Sequence, residues 1–131
     1  MANEKILIID DDQEIVEAMQ TVLDSQGFQV DEANDPEEAM KKLEKSIPDL
    51  IILDVMMRTA QDGFVLSRKL KKDEKYKKIP ILMLTGVKEK LGFDFKESAG
   101  DDEWLPVEAF LDKPVKPELL LEKINSLLKK K

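Results

Sequence analysis

Short apolar runs alternate with amphipathic segments along the chain, and this alternation predicts strands that alternate with helices. Mostly apolar runs lie at 5–9, 49–53 and 79–84, and a short final strand with mixed side chains is predicted at 107–111. Unbroken runs of this length are typical of strands that helices cover on both faces, as in a parallel sheet. Residues 28–33 alternate apolar and polar side chains instead, which predicts a more exposed strand at an edge of the sheet.

Apolar residues recur at helical spacing between the predicted strands. We expect the first helix to have Asp12 as its N-cap and to run to about Gln26, before Gly27. Further helices are predicted between Asp35 and Pro48, at about 63–73, and from Pro117 onwards. Residues 87–106 show no such pattern, so we expect a long connection there, of a kind that is often functional.

The order of elements is therefore strand then helix, repeated five times, with little regular structure predicted at the place of the fourth helix. A chain of 131 residues is long enough for one domain, which we place at 1–131. This pattern predicts an α/β fold with three layers: a doubly wound, flavodoxin-like (βα)5 domain with right-handed crossovers. The expected order of its five parallel strands is 2-1-3-4-5.

Composition narrows the chemistry that this domain can perform. The chain has neither cysteine nor histidine, which excludes disulfides, thiol chemistry and histidine-based catalysis or metal binding. Its net charge of −7 lacks the basic footprint of non-specific nucleic-acid binding, so we expect no direct DNA binding. No apolar run approaches the ~20 residues that span a bilayer. We therefore expect a cytoplasmic protein that does not bind membranes.

Polar side chains follow four of the predicted strands. Asp10, Asp11 and Asp12 follow the first, Asp54 the third, Thr85 the fourth and Lys113 the fifth. Because the carboxyl ends of parallel strands open on one side of the sheet, these groups should converge. Crowded carboxylates repel one another, and Mg²⁺ relieves this because it prefers oxygen ligands. Acids, a hydroxyl and an ammonium around Mg²⁺ suit phosphoryl transfer, in which a carboxylate can itself be the nucleophile.

Each of these residues also has a plain structural interpretation. An aspartate at a strand end is a common cap for the next helix, which applies to Asp10, Asp11 and Asp12. Thr85 taken alone fits a turn, and Lys113 taken alone fits a solvated surface. The joint placement at four strand ends is what favours a functional site, with Asp54 carrying the chemistry.

The chain resembles the receiver domain of two-component response regulators over essentially its whole length. The resemblance rests on four segments in the order and near the spacing of that family. These segments are Ile6-Leu7-Ile8-Ile9-Asp10-Asp11, Leu50-Ile51-Ile52-Leu53-Asp54, Ile81-Leu82-Met83-Leu84-Thr85-Gly86 and Phe110-Leu111-Asp112-Lys113-Pro114.

The resemblance implies a role for each site residue. Asp54 would accept a phosphoryl group from the phosphohistidine of a kinase or phosphotransfer protein. Asp10, Asp11, Asp54 and the backbone carbonyl of Met56 would bind Mg²⁺, with Asp10 acting through water. Lys113 would pair with a phosphoryl or carboxylate oxygen. Thr85 and Phe110 would form the switch that changes with phosphorylation, although an aromatic residue at 110 also fits simple packing.

Two features depart from the family pattern. Arg58 stands where the family commonly has proline, four residues after the acceptor. The span between Thr85 and Phe110 is several residues longer than usual and contains Phe93, Phe95 and Trp104. These aromatic residues either pack on the domain or mark a partner site.

The resemblance implies a phosphoacceptor signalling module, not an enzyme, that acts on a downstream protein as a monomer or as a weak dimer when phosphorylated. It is either a single-domain regulator or the receiver of a longer chain. One alternative is a pseudo-receiver that is not phosphorylated. Another is a Mg²⁺-dependent phosphatase of the haloacid-dehalogenase kind using Asp10 and Asp12. Glu14 stands where that motif requires threonine or valine.

Overall fold

The computed structural model describes residues 4–54, 62–85, 109–112 and 116–129. Of Thr85 and Phe110 it describes the backbone alone. The predictions for Met56, Arg58, Lys113 and the connection 87–106 lie outside the described residues.

A five-stranded parallel sheet forms the centre of the domain. Its strands are β1 (Lys5–Ile9), β2 (Gln29–Ala33), β3 (Leu50–Asp54), β4 (Ile81–Thr85) and β5 (Ala109–Asp112). The helices of the described ranges are α1 (Gln13–Ser25), α2 (Pro36–Lys45), α3 (Asp62–Lys72) and α4 (Pro117–Lys129). The strand order is β2-β1-β3-β4-β5, as predicted, with the partly exposed strand β2 at one edge.

The sheet separates two hydrophobic clusters, which explains the unbroken apolar runs. Successive side chains of a strand point to opposite faces. Ile6 and Ile8 of β1 therefore pack with residues of α1 and α4, whereas Leu7 and Ile9 pack with residues of α2 and α3. Among the described helices, none combines the length and hydropathy that crossing a bilayer requires.

Capping residues fix where the first two helices begin. Asp12 is the N-cap of α1, and its side chain accepts hydrogen bonds from the backbone N–H groups of Glu14 and Ile15. Asp35 caps α2 by accepting from the N–H of Glu38 at 2.8 Å, and Glu38 Oε1 accepts from the N–H of Asn34 at 2.7 Å. The first bond satisfies a donor that the helix start leaves unpaired, and the second ties the residue before the N-cap to the first turn of α2.

The predicted start of β4 at residue 79 was wrong, because the strand begins at Ile81. Ile79 belongs to the preceding turn, where its N–H donates to the carbonyl oxygen of Tyr76 at 3.0 Å. Pro80 has no N–H to donate, although its carbonyl oxygen accepts from the N–H of Ile51 at 3.0 Å. Sheet pairing of β4 with β3 starts only after this proline, at Ile51 and Ile81.

Candidate functional site

The register of β1 and β3 places two aspartates side by side at the carboxyl edge of the sheet. Ile9 pairs with Leu53, so Asp10 and Asp54 are the next residues on two neighbouring strands. The N–H of Asp10 still donates to the carbonyl oxygen of Ala33 at 3.1 Å, which continues the β1–β2 ladder for one residue. The backbone at both positions is therefore held by the sheet.

Three carboxylates meet at this edge. One oxygen from each of Asp10, Asp11 and Asp54 lies within 4.8 Å of the others. Asp10 is 0% exposed and Asp54 is 4% exposed, whereas Asp11 faces solvent. Like charges at this separation repel strongly where burial reduces solvent screening, so the arrangement favours binding of a cation.

The acidic triplet that follows β1 divides into two roles. Asp10 Oδ1 accepts a hydrogen bond from the N–H of Asp12 at 2.9 Å, which fixes the tight turn between strand and helix. Asp12 itself points to the start of α1, where its Oδ1 accepts from Glu14 N at 3.1 Å. The capping interpretation thus holds for Asp12, whereas Asp10 and Asp11 belong to the carboxylate cluster.

The backbone of β4 and β5 brings the predicted switch positions to the same edge. Asp54 pairs with Leu84, and Thr85 is the next residue along β4. Thr85 in turn pairs with Asp112, the residue before Lys113, and Phe110 pairs with Met83. The carboxyl ends of β1, β3, β4 and β5 therefore lie next to one another in this order, as the predicted meeting of residues from these four strand ends requires.

The donor set fits a hard divalent cation. All three groups are carboxylates, and the chain has no histidine or cysteine that would favour a softer metal. Mg²⁺ commonly takes one or two carboxylates and keeps several waters. The solvent-facing side of Asp11 leaves room for such waters. Receiver domains generally bind Mg²⁺ at an acidic pocket, which is the kind of site that these aspartates form.

A groove of about 320 Å³ lies between α1 and α4, and Glu14 and Pro117 line it in the first turns of these helices. Its lining residues are Glu14, Ile15, Ala18, Met19, Val22, Pro117 and Leu120. The sequence pattern alone did not predict this groove. The sequence feature that could have indicated it is the width of the apolar stripe on α1. Ile15 and Val22 belong to that stripe, and the structure leaves both only half-buried.

Comparison with known proteins identifies the family. The sequence model of the response regulator receiver domain matches residues 6–125. The chain is 34% identical over 128 residues to PhoP, the alkaline phosphatase synthesis transcriptional regulatory protein of Bacillus subtilis, covering 98% of this chain and 50% of PhoP. It is 35% identical over 130 residues to the DNA-binding dual master transcriptional regulator RpaA of Synechocystis, covering 96% of this chain and 49% of RpaA.

A solved structure shares the fold over almost the whole chain. The signal receiver domain of a signal transduction histidine kinase from Syntrophus aciditrophicus superposes with a TM-score of 0.81 at 30% identity, covering 97% of this chain and 91% of that one. The chain spans about half the length of the two curated relatives. Because both are named as transcriptional regulators, the prediction of no direct DNA binding gains no support from them. The match over residues 6–125 shows that the chain belongs to the response regulator receiver domain family.

Proposed function

We propose that this chain is the phosphoacceptor of a two-component phosphorelay and that Asp54 carries the phosphoryl group. Receiver domains are signalling modules that interact with histidine kinases and phosphotransfer proteins. The observation that carries the proposal is the meeting of Asp10, Asp11 and Asp54 at one strand edge, with two of the three carboxylates buried. Buried charges are costly, and a fold that gathers them at its ligand-binding edge favours a site for chemistry.

Asp54 is the acceptor in this proposal because it alone of the three belongs to a strand, and that strand is the middle one of the sheet. It is the last residue of β3, which pairs with β1 on one side and β4 on the other. An oxygen of its carboxylate attacks the phosphorus of a phosphohistidine. The new O–P bond forms as the N–P bond breaks, and the imidazole nitrogen leaves with the electron pair.

Asp10 and Asp11 hold Mg²⁺ in this scheme, together with Asp54 and the backbone carbonyl of Met56. Bound Mg²⁺ supplies the positive charge that neutralises the oxygens of the transferring group. Asp10 keeps its orientation through the hydrogen bond from Asp12 N, so the turn after β1 positions the carboxylate before any ligand arrives. Such positioning lowers the cost of assembling the site at the moment of reaction.

The remaining assignments follow from the family resemblance. Lys113 pairs with a phosphoryl oxygen, and the Thr85 hydroxyl bonds the phosphoryl group once it has formed. Phe110 changes rotamer with Thr85, which alters a partner-binding surface. Phosphorylation then shifts a population between two arrangements, by no more than the difference in its interaction energy with them.

The phosphodonor protein docks, we propose, on the groove between α1 and α4. Both helices begin at the carboxyl edge, where Gln13 and Pro117 open them, so a protein seated there reaches Asp54. Ile15 and Val22 give the groove an apolar floor that suits a helix of the partner. We place this exchange in the cytoplasm.

Intact mass after incubation with Mg²⁺ and a small acylphosphate tests the proposal, with Asp54→Asn as the matched variant. We expect wild type to gain one phosphoryl group only when Mg²⁺ is present, and Asp54→Asn to gain none. A gain that survives in Asp54→Asn would show that another carboxylate is the acceptor. If the folded wild type gains nothing from small donors and from a panel of histidine kinases, the phosphoacceptor function is excluded.

A further inference from the structure

A strongly basic segment lies at the opposite edge of the sheet from the aspartates. Residues 68–78 contain seven of the chain's 21 basic residues and two of its 28 acidic residues. The segment therefore carries +5 within a chain whose net charge is −7. It comprises the last part of α3 and the turn that leads to β4.

The turn that leads to β4 is ordered by contacts with the hydrophobic core. Tyr76 is 4% exposed and Ile79 is 5% exposed, and both pack in the cluster below α2 and α3. The carbonyl oxygen of Asp73 accepts from the N–H groups of Tyr76 at 3.0 Å and Lys77 at 2.8 Å. Lys71 Nζ donates to the carbonyl oxygen of Ile79 at 2.8 Å. These contacts hold the backbone of the turn, and therefore the positions from which its lysines extend, in a fixed arrangement.

The turn presents ammonium groups that its own carboxylates do not neutralise. Lys77 pairs with Glu74 at 3.0 Å. Four other lysines are exposed and form no ion pair with any residue in the described ranges: Lys69, Lys72, Lys75 and Lys78. We call these four residues the basic surface.

An exposed apolar side chain accompanies the basic surface at the amino edge of the sheet. Ile47 lies between α2 and β3 and is 55% exposed. Because β3 and β4 are paired neighbours that begin at Leu50 and Ile81, the segments leading into them meet at this edge. The segment that carries Ile47 also contains Glu44, Lys45 and Asp49, so it contributes apolar surface but no additional positive charge.

The basic surface is electrically separate from the acidic edge. A strand of five residues is about 17 Å long, whereas the Debye length at physiological salt is about 8 Å. The carboxylates around Asp54 are thus screened from a ligand at the amino edge, and the net charge of the whole chain does not govern what binds there.

We propose that the basic surface docks this domain on an anionic phospholipid membrane. This proposal replaces the expectation of no membrane binding, which rested on the lack of an apolar run long enough to cross a bilayer and therefore does not bear on binding at the membrane surface. Lysine ammonium groups act as point charges on a plane of phosphates, and each lysine near an anionic surface contributes about 1 kcal/mol, or about fivefold, to binding. Ile47 suits the apolar boundary beneath the headgroups. Binding to single-stranded nucleic acid would favour exposed aromatic side chains for stacking, whereas the aromatic residue of this turn, Tyr76, is buried.

Docking in this orientation leaves the carboxyl edge facing away from the membrane. Asp54 and the groove between α1 and α4 then stay open to a phosphodonor, so membrane binding and phosphorylation are independent. The proposal therefore goes beyond the phosphoacceptor function and fails or succeeds separately from it. Asp54→Asn leaves vesicle binding unchanged.

Co-sedimentation of the full chain with vesicles tests the proposal. The vesicles are phosphatidylcholine with one third phosphatidylglycerol, and pure phosphatidylcholine is the comparison. Lys75→Gln/Lys78→Gln removes two charges from the basic surface. Lys116→Gln/Lys123→Gln is the matched control, since it removes two exposed lysines on or next to α4. Each lysine at an anionic surface changes partitioning about fivefold, so the first variant should bind about 25-fold more weakly.

Each outcome of the vesicle experiment either supports or overturns the proposal. Binding that needs phosphatidylglycerol, falls with salt, and weakens in Lys75→Gln/Lys78→Gln but not in the control supports the proposal. Equal binding to both kinds of vesicle, no binding to either, or equal losses in the two variants overturns it. The protein can also be tested on duplex DNA and on polyglutamate at the same charge concentration. If it binds either of these but not the vesicles, the membrane proposal is overturned in favour of another polyanion.

Discussion

The two edges of the sheet carry opposite charge, and they carry it in different ways. At the carboxyl edge, Asp10 and Asp54 are buried at 0% and 4% exposure beside the solvent-facing Asp11. At the amino edge, Lys75 and Lys78 extend into solvent from an anchored turn. Part of this separation of charge is common to parallel α/β folds, because their helices begin at one edge of the sheet and end at the other. Acids are favoured near helix N-termini and bases near C-termini.

Burial is what distinguishes a chemical site from a docking surface in this molecule. Removing a carboxylate from water costs several kcal/mol, whereas an exposed lysine costs almost nothing. The carboxyl edge therefore acts at short range on one ligand, in a medium that strengthens its field. The amino edge acts at long range, and salt weakens it. Three changes test this contrast, beginning with the largest expected effect.

The largest effect is expected at the apolar groove between α1 and α4. Ala18→Arg places a long charged side chain on the groove that Ala18 lines. We expect phosphotransfer from a cognate histidine kinase to slow by about 30-fold, since disrupting the centre of an interface costs ~2 kcal/mol. Phosphorylation by a small acylphosphate should keep its wild-type rate, because that reaction needs no docked protein.

Thr21→Arg is the matched control for the groove. Thr21 is exposed on the same helix, about one turn further on, and does not line the groove. Kinase phosphotransfer should be within about twofold of wild type in this variant. Equal slowing by Ala18→Arg and Thr21→Arg would place the docking surface elsewhere on α1.

A smaller effect is expected when Mg²⁺ binds the carboxylate cluster. A ligand at ten times its dissociation constant stabilises the folded state by ~1.4 kcal/mol. Mg²⁺ should therefore raise the free energy of unfolding of wild type, and chelation should reverse the gain. Asp11→Asn should remove most of the gain, and it should itself raise the metal-free stability because it relieves the repulsion from Asp10 and Asp54. Chemical denaturation with and without Mg²⁺ measures both quantities.

Asp24→Asn controls for a general loss of negative charge. Asp24 is also exposed and lies near the far end of α1. This variant should keep the full stabilisation by Mg²⁺. Retention of that stabilisation in Asp11→Asn would show that the cluster does not bind the ion through this residue.

The sequence predicted the strand order and the meeting of Asp10 with Asp54 because local rules govern both. The apolar runs of β1 and β3 imply neighbouring buried strands, and their ends bring Asp10 and Asp54 together. Asp12 caps α1 as its position before an apolar stripe predicted. The sequence could not show that Asp10 is buried while Asp11 is exposed, since this depends on which face of the turn packs against β3.

The amino edge was harder to predict because tertiary packing determines it. The segment 73–80 contains mostly charged residues and offers no apolar periodicity. Its structure depends on burying Tyr76 and Ile79 under α3 and on the hydrogen bonds of Lys71 Nζ to backbone carbonyls. The same packing moved the start of β4 beyond Pro80. These contacts join residues whose meeting no local pattern reveals.

The smallest effect is expected for an ion pair of intermediate exposure. Lys42 Nζ lies 2.9 Å from Asp31 Oδ1, between α2 and β2, with side chains 34% and 33% exposed. Partial burial raises the pKa of Asp31, but hydrogen bonds from Lys42 and the Glu32 N–H outweigh it, so the pKa lies below the usual 3.8. The hydrogen bond to Asp31 raises the pKa of Lys42 above 10.5. Both shifts show that folding favours the charged forms.

The directions of these two pKa shifts determine the pH range in which the ion pair stabilises the fold. A lowered carboxyl pKa contributes stability above about pH 4 that is lost as pH falls through the folded-state pKa. A raised lysine pKa contributes stability that is lost only as pH rises above about 10.5. Lys42→Gln should therefore cost 0.2 to ~1 kcal/mol at neutral pH and less at about pH 3. A cost that stays constant down to about pH 2 would mean that packing of the Lys42 stem, rather than its charge, stabilises this contact.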